Sequence, residues 1–385
     1  MKFVRHVEGE TTLLVPRESI TVDPPPTSPV FFNPAASLNR DITVALAAAG
    51  RGRTFCDSMA GVGARGVRVA KEVEGVSAVT LVDFNDAALR VAERSARLNR
   101  VSGRCSFVMS ETNAFLASRF GRDERFDYVD VDPFGTPIRH IQAAIAATSD
   151  GGVLSLTATD TAVLCGVQER TCRRRYGGSP LNNHFHHETG IRVLLGAVAR
   201  LGAMLDIGAE PVAAHSSRHY LRVFVRVSVG ASKADAALKG IGYISWCPYC
   251  GEASSGVDPS PACVSCGKKA KVAGPLWVGD VTEEETVRAA ARAAGDKGLA
   301  RAADAMESLA GVDRFPPWSF SLERICSSMK VPSVPEGMVY RTLVQSGHAV
   351  ARTPFEKTGL KTGAGYAEVV EAVRAAARSG SSPQV

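Results

Sequence analysis

An α/β fold built on a parallel sheet is the fold class predicted by residues 54–229. Three observations carry it. Short apolar runs alternate with helical ones, and such alternation builds a sheet covered by helices on both faces. The turn Gly61-x-Gly63-x-x-Gly66 follows the first of these runs and opens a helix, which is the Rossmann-like order of strand, tight turn and helix N-terminus. Asp83 then ends the next run at the distance such a turn leads one to expect.

The 385 residues suffice for two or three domains. Their 45% hydrophobic and 22% charged content is that of a soluble globular protein. The net charge of +6, from 45 basic and 39 acidic residues, permits a polyanionic partner without requiring one. The N-terminus shows no apolar signal region, and no apolar run approaches the roughly 20 residues of a membrane span. Four of the nine cysteines are paired in metal-like spacing and five are scattered, which suits a reducing cytoplasm. The expected divisions are 1–240 for an N-terminal extension and the α/β domain, 241–275 for a Cys-rich segment, 276–378 for a smaller, mostly helical domain and 379–385 for a disordered tail.

In chain order, Thr11 to Val15 and Ile20 to Val22 read as a hairpin, ended by Pro24, Pro25 and Pro26. Arg40 follows the segment Val30-Phe31-Phe32-Asn33-Pro34. It is either a carboxylate ligand or an exposed residue at a helix start. Strands are expected at Thr54–Ser58, Val79–Asp83, Phe107–Met109, Tyr128–Val131, Val153–Ala158 and Tyr220–Val229. Helices begin at Val67 and Asp86, lie near Phe115, and cover Ile138–Ala147 and Ile191–Leu201.

The glycine turn suits either a nicotinamide dinucleotide or S-adenosylmethionine. Asp57, just before the turn, favours the second, because it would repel a pyrophosphate and attract an ammonium group. It could equally be a satisfied loop carboxylate. Asp83 can accept ribose hydroxyls in either case, and Arg65 could pair with a methionine carboxylate. Asn113 is an adenine contact or a helix cap, with equal support.

Asp130 to Gly135 ends a buried strand with a carboxylate, a proline and an aromatic ring. Proline restricts the residue before it to extended conformations, so Asp132 and nearby carbonyl groups can point into one cleft. Phe134 supplies a flat wall. Two acceptors and a stacking ring fit an exocyclic amine on an aromatic base; the alternative is a strand-to-helix turn with an Asp cap. Asp130 lies deeper and is expected to accept backbone N–H groups.

Arg170, Arg173, Arg174, Arg175 and Tyr176 are read as a loop, either for phosphate contact and base stacking or simply a solvated surface. His184, His186 and His187 have no Cys or second acid at metal spacing, and Glu188 with Arg192 forms a helical ion pair. Cys247-x-x-Cys250 and Cys263-x-x-Cys266, twelve residues apart, predict two knuckles converging on one structural zinc, with Ser254 to Pro261 as a loop between them. Further on, Thr282 and Glu285 form a capping box for a helix that Gly295 stops. A second helix spans Leu299–Leu309, two short ones cover Leu322–Met329 and Gly337–Gln345, and Ala349–Thr353 is a strand. Arg341, His348, Arg352, Lys357 and Lys361 give this part a basic side.

Together, these stretches resemble the tRNA guanine-26 N2-dimethyltransferases in their archaeal form. The matching residues are Val30 to Pro34 with Asn39-Arg40-Asp41, Gly61 to Gly66, Asp130 to Gly135, Thr159 to Ala162 and Leu164-Cys165-Gly166. The arginine cluster, His187 to Leu195, the Cys pairs and Gly359 to Thr362 match as well. The resemblance implies a class I S-adenosylmethionine-dependent methyltransferase fold, S-adenosylmethionine as methyl donor and tRNA as partner. It places Arg40, Arg65, Asp83, Asn113 and Ala114 in the cofactor site and Asp132, Pro133 and Phe134 at the target base. Asn113 stands where an Asp is usual, and Gly363 where an acid is expected. The rival readings are an oxidoreductase, a non-catalytic zinc RNA-binding protein, and a methyltransferase for another amine. No obligate protein partner is evident.

Overall fold

The computed structural model describes residues 2–121, 124–217 and 219–380. The chain opens with the antiparallel hairpin β1 (Phe3–Glu8) and β2 (Thr11–Pro16). The expected pairing of Thr11–Val15 with Ile20–Val22 is corrected. The turn at Gly9 and Glu10 folds the strand back on the preceding residues, and Ile20 lies in the short helix Glu18–Thr21. Ser95, in the helix Asp86–Leu98, and Asn99, which caps it, accept from the Leu14 and Thr12 N–H groups and fasten this hairpin.

Seven strands form the central sheet: β3 (Thr54–Asp57), β4 (Ala78–Asp83), β5 (Cys105–Met109), β6 (Phe126–Val131), β7 (Thr148–Ala158), β8 (Ile207–Ser217) and β9 (Tyr220–Val229). Their order is β5-β4-β3-β6-β7-β9-β8. The first five are parallel, β9 runs antiparallel to β7, and β8 runs antiparallel to β9. The edge strand β8 went unpredicted because Pro211 interrupts its apolar run. The register slips there, between Pro211 and Ala213, and edge strands and bulges are where a sheet tolerates proline. Leu81, Val131, Leu154 and Val223 are fully buried at the centre, each such side chain contributing about 1.5–3 kcal/mol. The helices Ala64–Glu72, Asp86–Leu98, Thr112–Ala117 and Ile141–Ala147 connect the parallel strands. Strand order reverses at β3 and β6, which opens a crevice at the strands' C-terminal ends.

Beyond the sheet, β10 (Ile241–Trp246), β11 (Ala253–Gly256) and β12 (Lys271–Trp277) form a three-stranded antiparallel sheet. The loop expected from Ser254 is therefore a strand at its start. Ala253 to Gly256 lack apolar periodicity and are held by pairing with Tyr243 to Trp246.

The hydrophobic cores do not part at residue 275. The helices Glu284–Asp296 and Ala300–Leu309 bury Val287, Ala290, Met306 and Leu309 in the large core, against the helix Ser37–Ala49. A second core gathers Phe320, Ile325, Val339, Leu343, Leu360, Val369 and Val373. It is built from the helices Leu322–Met329, Glu336–Gln345 and Tyr366–Gly380 with β13 (Val350–Arg352) and β14 (Leu360–Thr362). The expected capping box is also corrected. Asp313 takes the Thr282 N–H at 3.0 Å and its hydroxyl as well, so Thr282 faces away from the helix it precedes. That helix runs to Asp296, past Gly295. Of the tail expected from Ser379, residues 381–385 lie outside the described residues.

Candidate active site

Asp57, Asp83 and Val131 end three neighbouring strands, so the residues that follow them meet at one sheet edge. Register places Asp57 beside Asp130, and Asp130 beside Ser155. The glycine turn is tied to both outer acids. Gly66 N–H donates to Asp57 at 2.8 Å, and Gly61 N–H donates to Asp83 at 2.7 Å. Gly63 has φ 75° at the helix start, and a Cβ there would stand 2.7 Å from Ala92 Cβ, so only glycine fits. Asp57 is 2% exposed. Burial pushes its carboxyl up to about 7, Arg65 opposing the shift and Asp130 adding to it.

Behind the edge lies a buried ionic cluster. Asp130 was expected to accept backbone N–H groups; instead it binds side chains. Its Oδ2 accepts from Ser155 and from Arg222, and its Oδ1 stands 2.9 Å from Arg65 Nε. Burial alone would raise the Asp130 carboxyl, but Arg222 and Arg65 hold it below the usual range. Arg222 went unread in the sequence, although an arginine within the apolar run Tyr220–Val229 was a signal. Thr43 Oγ1 bridges the two guanidinium groups, at 2.6 Å from Arg65 Nη1 and 2.9 Å from Arg222 Nη2. Arg65 reaches outward through Nη2 to Asp132.

Asp132 has 29% of its side chain exposed. Phe134 is 71% exposed, and its ring takes an edge contact from Phe31 at 4.9 Å. Gly135 N–H donates to Thr159 Oγ1 at 2.7 Å, and Thr159 N–H donates to Gly135 O at 2.8 Å, which pins the loop behind Pro133. Arg40 is buried in a two-pronged pair with Glu8, at 2.7 and 2.5 Å. Asn113 Oδ1 lies 2.8 Å from His140 Nδ1, and the cap of its helix is Glu111, which accepts from Ala114 N–H at 2.8 Å. Phe84, 81% exposed beside Asp83, also went unread in the sequence.

The sequence profile described as TRM, N2,N2-dimethylguanosine tRNA methyltransferase, matches residues 9–374. The chain belongs to this family. The tRNA (guanine(26)-N(2))-dimethyltransferase of Methanothermobacter thermautotrophicus is 35% identical over 375 residues, covering 94% of this chain and 97% of its own. That of Haloarcula marismortui is 35% identical over 380 residues, covering 96% and 99%. A solved complex of Trm1 from Pyrococcus horikoshii with S-adenosyl-L-methionine superposes with a TM-score of 0.83 at 30% identity, covering 96% of this chain and 99% of that one. The sheet order and this superposition show the expected class I methyltransferase domain.

In this dimethyltransferase-family chain the arginine cluster is not a loop. Glu169–Tyr176 is a helix whose basic last turn precedes Gly177. Tyr176 is buried, its hydroxyl donating to Asp160 at 2.8 Å, so it is not a stacking ring. Arg173 pairs with Glu169 and Arg175 with Asp160, while Arg170 and Arg174 stand exposed on one face. The basic side expected of the C-terminal part is likewise reduced. Arg352 pairs with Glu336, His348 with Glu368, and Lys361 is buried 2.8 Å from Glu188. Arg192 pairs with the same Glu188 at 3.0 Å.

The four Sγ atoms of Cys247, Cys250, Cys263 and Cys266 lie within 4.8 Å of one another, with two separations of 3.6 and 3.5 Å. Zn–S bonds of about 2.3 Å give a tetrahedron with edges of roughly 3.8 Å, so the set fits zinc. Matching turns hold it: Gly251 N–H donates to Cys247 O, and Gly267 N–H to Cys263 O.

Proposed function

We propose that this chain is a tRNA (guanine-26 N2)-dimethyltransferase. It moves methyl groups from S-adenosylmethionine to the N2 amine of guanosine 26, giving N2-methyl- and N2,N2-dimethylguanosine. The observation that carries the reading is the meeting of Asp132-Pro133-Phe134 with Asp57 and Asp83 at one sheet edge.

When bound, S-adenosylmethionine supplies the methyl group on a sulfonium. Asp57, before the turn, attracts the ammonium group. Each Asp83 oxygen keeps a lone pair beyond its backbone bond to Gly61 or Asn85, enough for two ribose hydroxyls. Phe84 is a wall for the adenine, and Asn113 and Ala114 meet its edge. Arg65 meets the methionine carboxylate, which would share it with Asp132; Arg40, whose guanidinium Glu8 takes at 2.7 and 2.5 Å, reaches that carboxylate only by leaving this pair.

Guanine N2 is a poor nucleophile because its lone pair is delocalised into the ring. Asp132 and a main-chain carbonyl beside Pro133 accept its two hydrogens, so the nitrogen can pyramidalise. As the N–C bond forms and the S–C bond breaks, Asp132 takes the proton the nitrogen gives up. The second transfer needs one acceptor, and Asp132 serves again once it has released the first proton to solvent. Phe134 stacks the base, which must first leave its own stack at a cost of a few kcal/mol. Positioning is the main contribution of the protein.

Cys247, Cys250, Cys263 and Cys266 hold a structural zinc in this reading. tRNA lies along Arg170 and Arg174. Among the described residues no helix is long and apolar enough to cross a membrane, and nine unpaired cysteines suit the cytoplasm. Nucleoside mass spectrometry of unmodified tRNA incubated with protein and cofactor tests the reading. Dimethylguanosine mapped to position 26 is expected. Methylation of a different base amine would replace this reading with that of another amino-methyltransferase.

A further inference from the structure

A second group of side chains of metal-ligating type shares no residue with the crevice or the four-cysteine site. The sequence offers His186 and His187 no cysteine at metal spacing, but folding delivers one. Cys165, in the turn after the helix Thr161–Leu164, meets the start of the helix His186–Ala203, and ligand atoms of Cys165, His186 and His187 lie within 4.8 Å of one another. Cys165 is buried and the two rings are partly buried. Two further observations point to a cation. His186 Nδ1 is 2.6 Å from Asn183 O, so Nδ1 carries the proton and Nε2 keeps its lone pair. A backbone carbonyl on the other ring nitrogen is the usual outer partner of a metal-ligating histidine. His187 Nδ1 is buried without a hydrogen bond and stands 3.7 Å from Glu356. That carboxylate is itself buried, with one oxygen, Oε2, left unpartnered.

We propose that Cys165, His186 and His187 form a second metal site, for a divalent cation of the zinc class. One thiolate and two imidazoles are a zinc ligand set, with the fourth position left for water. The carboxyl group of Glu356 stands beside it, 3.7 Å from His187 Nδ1. Glu356 comes from the segment between β13 and β14, and it also accepts the His187 N–H at 2.8 Å. The bound cation therefore sits against the segment between β13 and β14, whose Glu356 closes on the start of the helix His186–Ala203.

The test is metal content of the full chain equilibrated with buffered zinc. It rests on the four-cysteine reading for its count. Wild type should hold about two zinc ions per chain, and Cys165→Ser and His186→Gln about one each. The ring of His186 is partly exposed, so its variant carries the count if Cys165→Ser does not fold. Cobalt(II) gives a separate readout, because Cys165→Ser should remove the charge-transfer absorption of a single thiolate and leave that of the four-cysteine site. A single zinc in wild type that survives both variants overturns the proposal and leaves the four-cysteine site standing. A single zinc lost in both variants keeps the proposal and removes the four-cysteine reading. Two ions in wild type and in both variants also overturn the proposal, and no ion in wild type removes both sites.

Discussion

The buried guanidinium of Arg65 donates a hydrogen bond through Nη2 to the carboxylate of Asp132. The same guanidinium stands 2.9 Å from Asp130 through Nε. One cation thus links the half-buried acid at the crevice to the acid fixed in the core. Pro133 restricts the backbone at Asp132, and Arg65 orients its carboxylate.

This division of labour separates two substitutions. Asp132→Asn should fold, bind cofactor and bind tRNA, yet lose methyl transfer by about 10²–10⁴-fold, the range for a positioned acid–base group. Asp130→Asn weakens two buried cations at once and should lower stability by up to about 3–5 kcal/mol, the scale of a broken buried pair. Single-turnover transfer measured beside a thermal melt tests both. A folded, inactive Asp130→Asn beside an active Asp132→Asn would reverse the two roles.

With Asp57 at the ammonium site, cofactor binding should depend on pH. Its carboxyl titrates at about 7 in the fold, raised by burial, against about 3.9 in an unfolded chain. Between these values the native state holds an extra proton, so this group's contribution to stability falls as pH rises from about 4 to 7 and is level above. The ammonium of the cofactor calls for the ionised acid. Affinity should therefore rise with pH up to about 7, by at most about tenfold per unit, and then level off. Calorimetry in buffers of different ionisation enthalpy should detect proton release near neutral pH. A pH-independent affinity in wild type would remove Asp57 from the ammonium site.

Arg170 and Arg174, one helical turn apart and both exposed, are expected to touch phosphate. Replacing both with alanine should weaken tRNA binding and reduce the log–log salt slope by roughly 0.7 to 0.9 per lost contact. Cofactor affinity should not change. Filter binding at several salt concentrations measures it, and an unaltered slope would place the tRNA elsewhere. A truncation at residue 276 is a poor substitute, because it strips Val287 and Met306 from the large core.

Cys250→Ser should remove about one zinc per chain from the four-cysteine site and lower the melting temperature. The folded fraction should bind cofactor normally, since β10 and β11 lie outside the central sheet. A normal melt after removal of the metal would show that the site is not structural.

Features set by neighbours in the chain were legible from residue order alone. The alternation of strands and helices, the turn from Gly61 to Gly66, the proline after Asp132 and the two Cys pairs each follow from local backbone geometry or short spacing. The arginine-rich helix was missed because Glu169–Tyr176 is too polar to show an apolar stripe; its helical state depends on burying Cys172 and Tyr176. Other features required the chain to close. Arg222 meets Asp130 across 92 positions only because β9 and β6 flank β7 in one register. Cys165 reaches His186 and His187 only because a turn lays it against the start of a long helix. The helices Glu284–Asp296 and Ala300–Leu309 join the large core because the helix Ser37–Ala49 offers them an apolar face. Periodicity reports which face of an element is apolar, whereas topology and register decide what that face and its charges will meet.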